Sequence, residues 1–293
     1  MEFKKITVND IPLMAPYLKD ENEFTCETTV ANLAMWQALY NNQYCIEDGI
    51  LFLKSAFEGG DIFNLPYGDM QKGMALLREY SGKEFPDIWA QEGARFEQFC
   101  AIYGQYYSFF ESRNEFDYIY KTEKLSTLAG KKYHSKRNHI SSFSKQHNWH
   151  YRPITKENIQ DVKCCAAAWY AENSDKSDIE FEGERNGINI LLDNMDAFFC
   201  KGGAIYVDNR VVAFTVGSPI NSKVFDIHIE KALKDYATAY TVINREFAKN
   251  ELYDYEYINR ENDLGLEGLR RAKLSYHPDI LLKKYACSKK EDV

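Results

Sequence analysis

No stretch of the 293-residue chain approaches the roughly 20 consecutive apolar residues of a membrane span, so no integral membrane segment is expected. The opening MEFKKITVNDIPLM is too polar, and its apolar run too short, for a secretory leader, which points to the cytoplasm. There is no C-x-x-C pair: Cys26, Cys45, Cys100, Cys164, Cys165, Cys200 and Cys287 are scattered and odd in number. Reduced, mostly buried thiols follow, rather than a disulfide framework or a zinc ribbon. There is no G-x-G-x-x-G, so a repeated dinucleotide-binding βαβ unit lacks its signature. Nor is there a positive excess. Lys plus Arg number 36 against 44 Asp plus Glu, a net charge of −8, so the surface as a whole does not attract nucleic acid and no DNA partner is expected.

What is present suffices for a substantial core: 45% of residues are hydrophobic and 15% aromatic, in a length that fits one large domain or two of about 150 residues. In the amino-terminal part, Thr28 to Tyr40 has helical spacing, with Leu33, Trp36 and Tyr40 on one face. Tyr44–Ile46 and Ile50–Leu53 flank Glu47-Asp48-Gly49 as a hairpin, Asp61–Leu65 reads as a strand, and Met70–Tyr80 as a helix. Arg95–Tyr107 fits helix or strand equally, and Phe116–Tyr120 is a further strand.

The charge balance then inverts. Between Asp117 and Trp149 seven Lys or Arg residues face two acids, a local +5 in an acidic protein. Its centre, Gly130–His139, brings Lys132, Lys136 and His139 to one side if helical beyond Tyr133, with Arg137 and Asn138 adjoining. This is either a solvated helix face or a site for a phosphorylated or other anionic ligand, because Lys and Arg offer charge-assisted donors. His134, His139 and His147 lack Cys, Asp or Glu at ligand spacing, and no metal is expected.

In the carboxyl-terminal half, Glu157–Tyr170 and Ile188–Phe199 have helical periodicity, and the acid-rich stretch from Asn173 to Gly187 between them reads as a loop. Gly203–Val207 and Arg210–Gly217 across Asp208-Asn209 form the clearest hairpin. Phe225–Glu230 alternates, with Phe225, Ile227 and Ile229 on one face and Asp226, His228 and Glu230 on the other. A helix through Tyr236 and Phe247, a strand at Tyr255–Ile258, a helix ending at His277-Pro278 and a strand at Ile280–Tyr285 complete the order. The corner Asn259-Arg260-Glu261-Asn262-Asp263 joins a strand to a helix, the usual place for a site in an α/β protein. There a carboxylate pair suits a substrate ammonium and Arg260 a carboxylate. Asp263 equally suits a helix cap, and Arg270, beside Lys273, an ion pair with Glu267.

This order of elements resembles the GCN5-related N-acetyltransferase (GNAT) fold. More narrowly, Asp117–Tyr120, Leu128–His139 and Tyr257–Pro278 resemble the uncharacterised bacterial DUF2156 family. That family is grouped with the carboxyl-terminal domain of phosphatidylglycerol lysyltransferase and, further out, with the Fem aminoacyltransferases. The resemblance implies an α+β (mixed α/β) fold of two tandem GNAT-like domains, each a mostly antiparallel central sheet flanked by helices. The expected division is 1–120, a basic connection over 121–150, and 151–293. It also implies transfer of an acyl or aminoacyl group from acyl-CoA or aminoacyl-tRNA to an amine or hydroxyl, including a lipid or amino-acid-like acceptor. Glu230 and His228 would stand where such enzymes place a base, and Tyr276 where a tyrosine protonates the leaving group. Lys132, Lys136, Arg137, Asn138, Asn259, Arg260, Glu261, Asp263, Arg270 and Lys273 would contact substrate or donor. The family's R/Q-x-x-G-x-G/A loop is missing, since Lys231–Ala239 contains no glycine. That favours tRNA as donor, or a binding module for a small polar ligand without transfer, over acetyl-CoA.

Overall fold

The computed structural model describes residues 1–20, 22–57, 60–174 and 179–291. The chain first forms β1 (Lys4–Lys5), α1 (Ile11–Leu18), α2 (Val30–Met35), α3 (Gln37–Tyr40), β2 (Gln43–Glu47), β3 (Ile50–Phe57), β4 (Gly60–Asn64), α4 (Met70–Ser81), β5 (Ile88–Gln91), α5 (Ala94–Tyr103) and β6 (Tyr107–Glu111). It continues through β7 (Asp117–Lys121), α6 (Thr122–Thr127), α7 (His134–Gln146), β8 (Trp149–Pro153), α8 (Ile159–Glu172), α9 (Ile179–Asp193), β9 (Lys201–Val207), β10 (Arg210–Pro219) and β11 (Val224–Ala232). The last elements are α10 (Ala239–Glu251), β12 (Tyr257–Asn259), α11 (Glu267–Leu274), β13 (Ile280–Leu282) and β14 (Lys284–Lys289).

The strands make two seven-stranded sheets, ordered β1-β2-β3-β4-β5-β14-β6 and β8-β9-β10-β11-β12-β7-β13. Each is antiparallel except for one parallel pair at the same place, β4 with β5 and β11 with β12. The strand after that pair comes in both sheets from the other half of the chain: β14 enters the first sheet and β7 the second. Sheet membership therefore does not follow the expected division at 120 and 150. The single strand expected at Ile280–Tyr285 is two strands, one in each sheet.

Local chemistry accounts for the elements that form as expected. Asp48 and Gly49, and likewise Asp208 and Asn209, adopt the positive φ that a two-residue hairpin turn demands. Asp69 caps α4 by accepting from the Lys72 N–H at 2.8 Å, and Gly82 ends it in the left-handed region. The helix expected over Thr28–Tyr40 breaks at Trp36 into α2 and α3. Arg95–Tyr107 is mainly α5, leading into β6. The acid-rich loop expected from Asn173 to Gly187 is instead largely α9, with residues 175–178 outside the described residues. Gly187 belongs to that helix because a Cβ there would stand 2.8 Å from the Met35 carbonyl oxygen, so α2 and α9 touch through the glycine.

Two cores sandwich the second sheet. Leu125, Ile140, Phe143, Val242, Ile243 and Phe247 cover one face, and Met35, Val162, Ile188 and Leu191 the other. Each such fully buried side chain contributes about 1.5–3 kcal/mol. Between β10 and β11 the register slips by one: Val216 pairs with Ile229, but Gly217 with Ile227. His228 is thus the extra residue of a bulge. The bulge changes the faces, so Ile227 packs with Phe225 and Phe247 whereas Ile229 packs in the opposite core. The uninterrupted alternation expected for this strand is therefore corrected: Phe225 and Ile227 share a face that Ile229 does not.

Candidate functional site

The parallel pairing of β11 with β12 ends at Asp226 and Asn259. Beyond it β11 runs on to Ala232 with no strand beside it on that side among the described residues, and a cavity of about 1340 Å³ opens there. Chain splaying at the end of a parallel pair is a recurrent place for ligands.

The polar corner that leaves β12 forms one wall and is held from within. The Asn259 side chain accepts from the Glu261 N–H at 2.7 Å, and the Arg260 N–H donates to the Tyr118 carbonyl at 2.9 Å. Glu261 has a φ of 55°. Lys273, buried, donates to the carbonyls of Arg260, Glu261 and Asn262. Its pKa is lowered to about 8 by burial and by Arg260. Asp263 is fully buried and accepts from Arg270 Nε and Nη2, each at 2.8 Å, from the Tyr118 hydroxyl at 2.5 Å and from the Gly265 N–H at 2.9 Å. Burial opposes its ionisation, but these donors prevail and bring its pKa down to about 2. Asp263 is not the cap of α11, which starts at Glu267 behind Leu266. Nor does Arg270 pair with Glu267, whose partner is Arg271 at 3.9 Å. Asp263, Arg270 and Lys273, expected as ligand contacts, hold the corner together, and the Asn259 amide, expected as another, donates to the Phe24 carbonyl at 2.7 Å and to Asp117 at 3.0 Å.

A cationic wall stands next to it. Arg260 and Lys136 both pack on the buried ring of Tyr276, at 4.8 and 3.8 Å from its centre, and all three line the cavity. Arg260 Nη2 donates to Glu230 at 2.8 Å, while its Nη1 finds no hydrogen-bond partner among the described residues. The other Glu230 oxygen accepts from Asn244 at 3.1 Å. Lys136 donates to the Ser275 hydroxyl at 2.6 Å; burial and the neighbouring Arg260 lower its pKa to about 8. The rest of the basic segment separates from this wall. Lys132 and Asn138 are exposed, Asn138 against His134, and Arg137 donates to the carbonyls of Leu128 and Gly130, closing the turn after α6.

His228 lies on the far side of the bulge. Its Nε2 is 2.8 Å from the Ser218 hydroxyl and its Nδ1 is 3.1 Å from Glu261, which also accepts from Asn32 at 3.0 Å. Behind it lies a group invisible to sequence spacing. Lys284, entirely buried, sits 2.9 Å from Asp117 and 3.0 Å from Glu27. Cys26 and Asp226 adjoin it, both buried. Burial works against the Lys284 ammonium, yet Asp117, Cys26 and Glu27 hold its pKa well above the ordinary value. These residues come from the segment before α2 and from β7, β11 and β14, and nothing local announces them.

The cavity has an apolar arm toward the first sheet, with Trp36, Tyr40, Ile62 and Phe110, and reaches Trp169 and Tyr240 at the other end. Where GNAT proteins carry their glycine loop, the Lys234 N–H donates to Glu172 at 2.9 Å. No helix among the described residues is long and apolar enough to cross a membrane.

Two mixed sheets of this order, each flanked by helices, are tandem GNAT-like lobes, the fold class of acyl and aminoacyl transferases. The profile of the family described as phosphatidylglycerol lysyltransferase, C-terminal, matches residues 19–288, and the chain belongs to that family. It is similar to a conserved protein of unknown function from Bacteroides thetaiotaomicron, at 35% identity over 99% of this chain and 100% of the other, with a TM-score of 0.90. It shares its fold with L-PGS from Bacillus licheniformis, at 14% identity over 96% and 92% of the two chains and a TM-score of 0.64. An uncharacterised curated protein of Mycoplasmoides gallisepticum is 24% identical over 171 residues, 58% of this chain and 54% of the relative, so the chain spans about half the length of that relative.

Proposed function

We propose that the protein transfers an acyl or aminoacyl group from an activated ester to an amine or hydroxyl, within the cavity beside β11. The observation that carries this reading is the pair Arg260 and Lys136 against the ring of Tyr276, with Arg260 Nη1 unpartnered among the described residues in a buried wall. Attack on an ester carbonyl develops negative charge on its oxygen, and a preorganised donor at low dielectric stabilises that charge. Arg260 Nη1 supplies the donor. Lys136, with its pKa lowered to about 8, exchanges a proton near neutral pH and serves the acceptor or the leaving group. Glu230 and His228, whose polar atoms face fixed protein partners, act as positioning residues: Glu230 orients Arg260 and His228 braces Glu261.

The carboxylate on the Lys234 amide favours an aminoacyl ester on tRNA over acetyl-CoA as donor. The exposed Lys121, Lys131, Lys132 and Lys145 give tRNA a basic approach. The apolar arm through Trp36, Ile62 and Phe110 suits a lipid acceptor. A tRNA or CoA donor would place the reaction in the cytoplasm. A second reading, a module that binds an amino-acid-like or phosphorylated ligand without transfer, draws on the engagement of both Glu230 and His228 by the protein.

The test incubates the purified protein with labelled aminoacyl-tRNA or acyl-CoA and a panel of lipid, amine and hydroxyl acceptors, alongside thermal stabilisation by each donor. Label appearing on an acceptor with wild type, and at least tenfold less with Arg260→Ala, supports transfer. Saturable stabilisation without turnover supports the binding module, and no stabilisation by any donor or small ligand sinks both.

A further inference from the structure

The buried polar group behind His228 has the composition and geometry of a cation site. Asp226 is fully buried, and neither carboxylate oxygen has a hydrogen-bond partner among the described residues. A buried carboxylate without donors is costly and rare in a folded protein. Its surroundings deepen the deficit. Asp226, Asp117, Glu27 and Glu261 are four carboxylates in one connected cluster, and Lys284 and Lys273 are the two ammoniums that reach it.

The donor atoms are already gathered. Cys26 Sγ and one oxygen each of Asp226 and Glu261 lie within 4.8 Å of one another. His228 Nδ1 is 3.3 Å from Asp226 Oδ2 and 3.1 Å from Glu261 Oε1. Metal–ligand bonds of about 2.0–2.3 Å at tetrahedral angles place neighbouring donors about 3.3–3.7 Å apart. The His228 imidazole thus stands at nearly such an edge from each carboxylate, and Cys26 would draw inward to complete the set. The opposite ring nitrogen, Nε2, faces Ser218 Oγ at 2.8 Å, the kind of outer partner that orients a ligating histidine. Burial and Asp117 push the Cys26 thiol well above its ordinary pKa, against the pull of Lys284 Nζ 3.5 Å away, so a metal must displace its proton on binding. Cys26, His228 and Glu261 line the cavity, so the cluster has an entry path.

We propose that Asp226, His228, Glu261 and Cys26 form a binding site for one divalent transition cation, with zinc the best match to a mixed thiolate, imidazole and carboxylate set. The thiolate and imidazole exclude the hard, all-oxygen preference of magnesium and calcium. Binding displaces the proton on the Cys26 thiol and the water on the cation, with no redox change. The site does not rest on the transferase reading, and it acquires its ligands whether or not transfer occurs.

The test uses the full chain, stripped with a chelator and titrated with Zn²⁺ against a competing indicator, and with Co²⁺ followed by absorption. One equivalent of Zn²⁺ bound at micromolar or lower free metal is expected, with a thiolate-to-cobalt charge-transfer band in the Co²⁺ form. Asp226→Asn, which keeps the shape of the side chain, is expected to abolish stoichiometric binding. Cys26→Ser is expected to remove the charge-transfer band while the visible bands of bound Co²⁺ remain. Ser218→Ala is expected to weaken binding by about tenfold or more. A thermal melt of each variant without metal shows which are folded, and only those are compared. Absence of a saturable equivalent in wild type, or equal affinity in folded Asp226→Asn and Glu261→Gln, overturns the proposal and leaves Asp226 as a neutral buried acid.

Discussion

Lys284 Nζ lies 2.9 Å from Asp117 Oδ1, and both side chains are completely shut off from solvent. Asp117 opens β7, just after the chain passes from the first sheet to the second, and Lys284 opens β14, just after it returns. One ion pair thus fastens both crossings. Removing one member of a buried pair strands the other in low dielectric, at about 3–5 kcal/mol. Lys284→Met is expected to lower the unfolding free energy, read from urea titration, by that amount. The double variant Asp117→Asn with Lys284→Met should recover more than half of the loss, and a double variant no more stable than the single would refute this account.

The two glycines at Gly217 and Gly268 should respond to alanine in opposite directions. A Cβ on Gly217 would stand 2.0 Å from the Asp226 carbonyl oxygen and 2.5 Å from the Phe225 ring, so Gly217→Ala must push β11 away at the bulge. A loss of about 1–3 kcal/mol is expected. Gly268 lies in α11 with open space around it, and Gly268→Ala should gain about 0.5–1 kcal/mol from helix propensity. Denaturant titration of both variants checks the contrast.

Asp263 gives the protein an acid limb. Its pKa in the folded protein is about 2, below the ordinary 3.8, so its contribution is complete above that ordinary value. It is lost as the pH falls through 2. At neutral pH Asp263→Asn should cost about 2 kcal/mol through this group. The gap between wild type and variant should close between pH 4 and pH 2, roughly, in urea melts across that range. A gap independent of pH would remove the Arg270 and Tyr118 contacts as its source.

Anion binding in the cavity should depend on Lys136 and not on Lys132. With its pKa at about 8, Lys136 is charged below that value and can greet an anion; above it the charge fades and affinity falls. Calorimetric titration with inorganic pyrophosphate from pH 6.5 to 9.5, roughly, should show this decline, and Lys136→Arg should flatten it because arginine stays charged. Lys132→Ala, at an exposed position, should leave the affinity unchanged. Loss of binding on altering Lys132 would move the anion site out of the cavity.

The elements most legible in the sequence are those whose cause is local. The Asp48-Gly49 and Asp208-Asn209 turns, the α4 caps and the strand-to-helix corner after Asn259 each carry their signal within a few residues. The misreadings share the opposite property. Gly183, Gly187 and the neighbouring acids made α9 look like a loop. Yet Gly187 is there to let Met35 approach, and Glu184 is held by Tyr170 and Lys231. The bulge at His228 cannot be seen without knowing that Gly217 faces Ile227. In the candidate site, Arg260, Lys136 and Tyr276 do meet as a cluster, whereas Lys273, expected as a ligand contact, and Lys284, which no sequence signal singled out, are buried within the polar framework. Cys26, Asp117, Asp226 and Glu261 are separated by up to 235 positions, and only the exchange of strands between the sheets brings them together.

That exchange also sets an order of events during synthesis. The first sheet needs β14 between β5 and β6, and β14 follows β6 only after every strand of the second sheet has been made. A ribosome that has delivered most of the protein therefore holds a nascent chain whose first lobe still presents two raw strand edges, open to pairing with other chains. Synthesis of β14 is the step that seals the first lobe, so a chain cut before Lys284 is expected to aggregate rather than persist as a slightly shortened protein.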